Sequence, residues 1–120
     1  MKYKLDAIDR LNIPRILPQD GSMLEQAIID DILEMVRLRS ADYVKYGIKE
    51  RVNPINPMEK ILDSDSLDKE KNPRLLNEVE CDLSKPQTQI LNEAVDKLDK
   101  DKKIPRFMYP TCKKIKAMRG

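Results

Sequence analysis

Asp30, Asp31 and Glu34 form a close carboxylate cluster, and carboxylates at that spacing can serve general acid–base work or hold magnesium. They fall on the polar strip of an otherwise apolar run, where solvated charges are expected without any chemistry. Asp63-Ser64-Asp65-Ser66-Leu67-Asp68-Lys69-Glu70 invites comparison with a calcium loop. Counted from Asp63, the fifth position is Leu67. Asp68 stands where the turn glycine is required, and Arg74 where the bidentate carboxylate belongs. The segment reads as a solvated acidic loop.

Cys81 and Cys112 lie far apart with no Cys-x-x-Cys pattern. They could pair in an oxidising compartment, but two free thiols fits better where nothing indicates secretion. Lys113 and Lys114 beside Cys112 would favour its thiolate, although an ordinary cysteine in a basic segment is the plainer reading. The sequence has no histidine, which removes the usual general base, the hydrolytic triad and most zinc sites. Its three glycines, at 21, 47 and 120, cannot make a phosphate-cradling loop. The expectation is a chain that is not an enzyme and that needs no cofactor and no metal.

Charge is the second signal. Residues 1–53 balance, residues 54–101 carry seven basic against twelve acidic side chains, and residues 102–120 carry seven basic and none acidic. In that last stretch Lys102, Lys103, Arg106, Lys113, Lys114, Lys116 and Arg119 could contact phosphates while Phe107 and Tyr109 stack on bases. A basic terminus can equally dock on acidic protein surfaces, including those of its own copies. There is also an internal echo: Pro14-Arg15-Ile16-Leu17, Pro73-Arg74-Leu75-Leu76 and Pro105-Arg106-Phe107-Met108. With eight prolines and eight arginines in 120 residues, random placement would give fewer than one Pro-Arg pair. The functional reading is three extended pegs, each with an arginine for a carboxylate or phosphate and two apolar anchors. Chance and ordinary loop chemistry make the plainer one.

The elements that must carry these groups are organised around residues 22–52. Ser22 and Glu25 have capping-box spacing, and Leu24, Ile28, Ile32 and Met35 run beside a second row of Ile29, Leu33 and Val36. Gly47 or the Asn53-Pro54 pair should end this helix. Its apolar face is wider than one neighbour can cover. A second helix over 86–101, capped by Ser84 and Gln87, carries one stripe of Leu91, Ala94, Val95 and Leu98 and can cover one side. Leu5, Ile8 and Leu11 suggest two helical turns, whereas the two prolines at 14 and 18 predict an extended segment over 13–18. Met58, Ile61 and Leu62 could form a further turn or two.

The predicted fold is all-α: one long central helix, a second amphipathic helix, short helical pieces, and extended proline-containing N- and C-terminal arms. Residues 1–21 form the N-terminal arm, 22–101 a helical core with an irregular acidic segment at 53–85, and 102–120 the basic tail. The uncovered side of the long helix predicts a non-enzymatic structural or assembly subunit. It would dock on other protein subunits, or on its own copies, within a larger complex such as a virus particle. Ile28, Ile32, Met35, Arg15, Ile16, Leu17, Arg106, Phe107, Met108 and Tyr109 are its candidate partner contacts. The alternative is a small nucleic-acid-binding accessory protein acting through the tail. No apolar run approaches the ~18 residues of a membrane span and no leader pattern is evident, so the expected location is intracellular, or within a particle assembled there.

Overall fold

The computed structural model describes residues 2–118. Strand β1 (Lys2–Leu5) leads into helix α1 (Ala7–Ile16), followed by α2 (Met23–Val36) and α3 (Ser40–Tyr46). A hairpin of β2 (Glu50–Val52) and β3 (Lys60–Leu62) comes next, then tight 3-10 turns at Asp65–Leu67 and Pro73–Leu76. Strand β4 (Val79–Asp82), helix α4 (Lys85–Lys100), a 3-10 turn at Arg106–Met108 and helix α5 (Tyr109–Lys116) complete the order. β1 pairs antiparallel with β4, Tyr3 opposite Cys81 and Leu5 opposite Val79, and β2 pairs antiparallel with β3. The chain therefore mixes helix with two small antiparallel sheets, which corrects the all-α expectation.

The capping boxes form as spacing predicts: Ser22 Oγ accepts from the Glu25 amide and Ser84 Oγ from the Gln87 amide. The long helix does not reach Gly47 in one piece. It ends at Val36, and the cause comes from another part of the chain. The Arg10 side chain is only 7% exposed. Its guanidinium donates to the Val36 and Arg37 carbonyls (3.1 and 3.0 Å) and pairs with Asp42 at 3.2 Å. Asp42 also accepts from the Arg39 amide at the start of α3. One side chain thus takes two of the open carbonyls at the end of α2 and ties them to Asp42 of α3.

Neither expected arm is extended throughout: within the N-terminal one only β1 is a strand. The 13–18 segment is helical through Ile16 with Pro14 inside the last turns of α1. An interior proline costs a helix about 3 kcal/mol. Burial of Ile13, Ile16 and Leu17 in the core offsets that cost. In the tail, residues 109–116 form α5, which packs on α1 and α4 through Cys112 and Ile115. Met58 lies in the turn after β2 and Ile61 lies on β3, not on a helix.

The principal core joins Leu5, Ile13, Ile16, Ile29, Ile32, Val36, Leu83, Leu91, Val95 and Ile115 with their neighbours. A smaller one gathers Ala7, Tyr46, Ile48 and Leu75. Most of the wide face of α2 is covered from within the chain. α4 and α1 both pack on it, leaving Leu24 of that row open at 73% exposure; Val44 of α3 is likewise open at 77%. The cover that sequence reasoning found missing is the supposed N-terminal arm.

α3 ends on Gly47, whose φ of 67° lies in the left-handed region, with Asn72 Nδ2 donating to the Tyr46 and Gly47 carbonyls. A Cβ there would stand 3.1 Å from the Arg74 guanidinium. Gly47→Ala is expected to lower stability by about 1–2 kcal/mol, chiefly from backbone strain, as read by urea unfolding. Tyr46 is fully buried, and its hydroxyl makes no hydrogen bond of good geometry among the described residues, although it lies near enough to the Arg10 guanidinium to help hold that group charged. Tyr46→Phe therefore leaves stability within about 1 kcal/mol of the parent or raises it. A larger loss in the same assay would show that the hydroxyl holds a bond.

Candidate functional site

α1 presents two faces. Asp9, Arg10 and Asn12 are all buried, and the outward face carries Ile8, Leu11 and Arg15, with Asp9 and Asn12 at its margin. Along the outward face runs a groove of about 770 Å³. Ile8 and Leu11 form its floor with Leu62 of β3, Leu67 and Leu76. Phe107 and Pro110 close the side formed by the C-terminal segment. Phe107 and Leu76 are about half exposed.

One end of the groove is a charged cluster. Asp6 caps α1 and exchanges bonds with Asp9: the Asp9 amide donates to Asp6 Oδ1 at 2.8 Å, and the Asp6 amide to Asp9 Oδ2 at 3.0 Å. Thr111 Oγ1 donates to Asp9 Oδ1 at 2.7 Å, while Asn12 Nδ2 donates to Thr111 Oγ1 and to the Phe107 carbonyl. Lys114 Nζ bonds Asp9 and stands 3.2 Å from Glu78 and 3.6 Å from Asp6. Burial works against the ammonium, but the bond to Asp9 and the charges of Asp9 and Asp6 outweigh it and raise its pKa. Burial likewise raises the Asp6 carboxyl.

At the other end stand two arginines. Arg15 lies six residues of helix beyond Asp9, about 9 Å along the axis at about 1.5 Å per residue. Its guanidinium sits over the Phe107 ring, 5.8 Å from the centroid. Arg106 adjoins Phe107 in the chain and lines the same groove.

The groove gathers the internal echo. Arg15 from the first Pro-Arg segment, Leu76 from the second, and Arg106 with Phe107 from the third all line it. None of the three is an extended peg: the first is the end of α1, and the other two are 3-10 turns. Among the expected partner contacts, Ile16, Leu17, Ile32 and Met108 are core residues and face no partner. Ile28 and Met35 are half-buried against that core. Arg15, Arg106, Phe107 and Tyr109 remain at the surface. Sequence reasoning missed Leu62 and Leu67 as lining, and placed Ile8 and Leu11 on a stripe without a destination.

Of the basic set, Lys102, Lys103, Arg106 and Lys113 are exposed and Arg119 lies outside the described residues. Lys114 is held by carboxylates, and Lys116 by Asp96 at 2.6 Å. Glu34 bonds Arg39 at 2.7 Å, with Asp30 and Asp31 exposed on the same helix. Cys81 and Cys112 are free and buried, and burial pushes both thiols up. Cys112 is thus no activated thiolate: its burial, and after that the charge of Asp99, hold the thiol protonated. No group of three or more potential ligands able to hold a metal occurs among the described residues.

Removing one partner of a buried ion pair costs about 3–5 kcal/mol. Lys114 is 34% exposed and water screens part of that, so Lys114→Met is expected to cost about 2–3 kcal/mol. Lys113→Met, at an exposed neighbour, should stay within about 0.5 kcal/mol. Because the lysine pKa is raised by folding, its contribution is complete below the ordinary value of 10.5. It shrinks as pH rises from there through the folded-state value. Urea unfolding of parent and Lys114→Met at pH 7, 10 and 11.5 checks this: a gap already closed at pH 10 contradicts it.

No protein-family model, no curated protein and no solved structure matches the chain.

Proposed function

We propose that the chain is a non-enzymatic docking subunit that receives a segment of a partner protein in the groove along α1. The observation that carries this reading is the groove itself, an apolar channel of about 770 Å³ at which three separate Pro-Arg segments meet. Clefts of this size with apolar floors and a few fixed polar groups are where proteins take ligands and peptides. The expected shortage of cover for the long helix no longer supports a partner, since α1 and α4 supply most of that cover. Docking is supported instead by the outer face of α1.

Catalysis finds little support in the same groove. A lysine held protonated by Asp9 is neither a nucleophile nor a general base. Asp9 is occupied by the Thr111 hydroxyl, the Asp6 amide and Lys114. As for location, no helix among the described residues is long and apolar enough to cross a membrane.

The test is selection of random displayed peptides on the immobilised full-length protein, repeated on Leu76→Glu. Leu76 is 49% exposed, so the substitution places a charge on the groove floor without opening the core. The expected result is a set of clones held by the parent and lost by Leu76→Glu, with the thermal melt of the two proteins within a few degrees. Clones that bind both proteins equally, or no selected clone at all, would overturn the reading.

A further inference from the structure

We infer that the segment received in the groove is acidic, with apolar side chains for the floor and flanking carboxylates for Arg15 and Arg106. The inference rests on the docking reading and adds the chemistry of the occupant.

Charge supplies the argument. Among the described residues, Arg10, Arg37 and Arg39 each hold a carboxylate, and Arg74 donates to the Val44 and Lys45 carbonyls. Arg51 stands on the exposed β2–β3 hairpin. Arg15 and Arg106 stand on the lip of an apolar groove, and neither side chain makes an ion pair or hydrogen bond within the described chain. The other charges of the lining do not cancel them: Asp6 and Asp9 lie at the opposite end, where with Glu78 they exceed Lys114 by two charges, and Asp68 is accompanied by Lys69. The arginine end is therefore a region of uncompensated positive charge beside aliphatic surface.

Geometry adds selectivity. Stacking on Phe107 restrains the Arg15 guanidinium but leaves its N–H edges open, the arrangement a carboxylate meets with two parallel hydrogen bonds. Arg106 offers a second fork one residue from the same ring. A nucleic acid would also value two arginines and an aromatic ring. The floor argues against it: Ile8, Leu11, Leu62 and Leu76 offer bases no stacking face. A strand with a charge at every nucleotide would also run toward Asp6 and Asp9.

The experiment uses a displayed peptide library with apolar residues fixed at alternating positions and Glu, Gln or Lys randomised between them. It is selected on the full-length parent, on Leu76→Glu and on the double variant Arg15→Gln, Arg106→Gln. Because both arginines are exposed, the double variant is expected to fold, which its thermal melt verifies. On the parent, Glu should be enriched at least about threefold over Gln. Synthetic copies of the selected clones should bind the double variant about tenfold more weakly, and lose that difference at 0.5 M salt. Clones that Leu76→Glu rejects but that show no preference for Glu, or prefer Lys, would overturn the acidic occupant and leave the docking groove standing. No clones on any protein would remove both. An unstructured RNA oligonucleotide, added in parallel, should not bind. If it binds the parent and is lost by the double variant while no peptide is selected, the groove faces nucleic acid and the inference is wrong.

Discussion

Asp9 and Arg10 are consecutive, charged and buried, and each must find its opposite inside the protein. An unpaired charge in a dry interior costs far more than a small domain has to spare. Asp9 is matched by Thr111 and Lys114, more than 100 positions away, and Arg10 by Asp42 and the carbonyls that end α2. Two adjacent residues on α1 thereby fix the C-terminal helix on one side and the α2–α3 corner on the other. Hydrophobic contact alone could let these helices slide with little change in buried area. The polar partners specify one register, because any other would strand a buried charge.

This division of labour explains why α1 works as a hub in spite of an unpromising composition. Ile13 and Ile16 supply its contribution to the main core, and polar residues supply the rest of the inward face. The outward face is then left with Leu11, with Arg15 stacked on Phe107, and with Ile8, which packs in part against the smaller core. A groove appears there because β3, the turns around Leu67 and Leu76, and the segment at Phe107 approach α1 from two sides without meeting over it. Asn12 sits between the two roles, reaching inward to Thr111 while also fixing the Phe107 carbonyl at the groove wall.

What could be read from the residues follows from the range of the interactions involved. Ser22 with Glu25, and Ser84 with Gln87, act within one turn, so spacing alone located two helix starts. The stripe on α4 was equally local, and its buried Leu91, Ala94 and Val95 lie where the period of 3.6 put them. β1 and β4 carried a weaker local signal. Tyr3 and Leu5 alternate with Lys2 and Lys4, as Val79 and Cys81 do with Glu80 and Asp82, but four residues are too few to outweigh a helical neighbourhood. The end of α2 left no local trace, since the group that caps it is twenty-six residues upstream. Pro14 was misleading for a different reason: its penalty is real, but it falls near a helix end, where three buried aliphatic side chains outweigh it. The groove was hinted at by the Pro-Arg echo, whose members could be spotted but not assembled without the fold.

The uneven charge along the chain acquires a structural meaning from the same contacts. The basic tail is spent in part on its own chain, Lys114 on Asp9, Asp6 and Glu78, and Lys116 on Asp96. Folding thus converts a sequence-level dipole into internal ion pairs and leaves a smaller, more local imbalance at Arg15 and Arg106. Arg15 sits on α1, which cannot shift without unpairing Asp9 or Arg10, and Arg106 sits in the 3-10 turn whose Phe107 carbonyl is held by Asn12 of α1. A segment docking there would meet a site whose shape is set in advance. The entropy usually lost in ordering a binding surface is then already accounted for in the folded state. That favours a short occupant with few contacts, because a rigid groove of modest size gains affinity from fit and not from area.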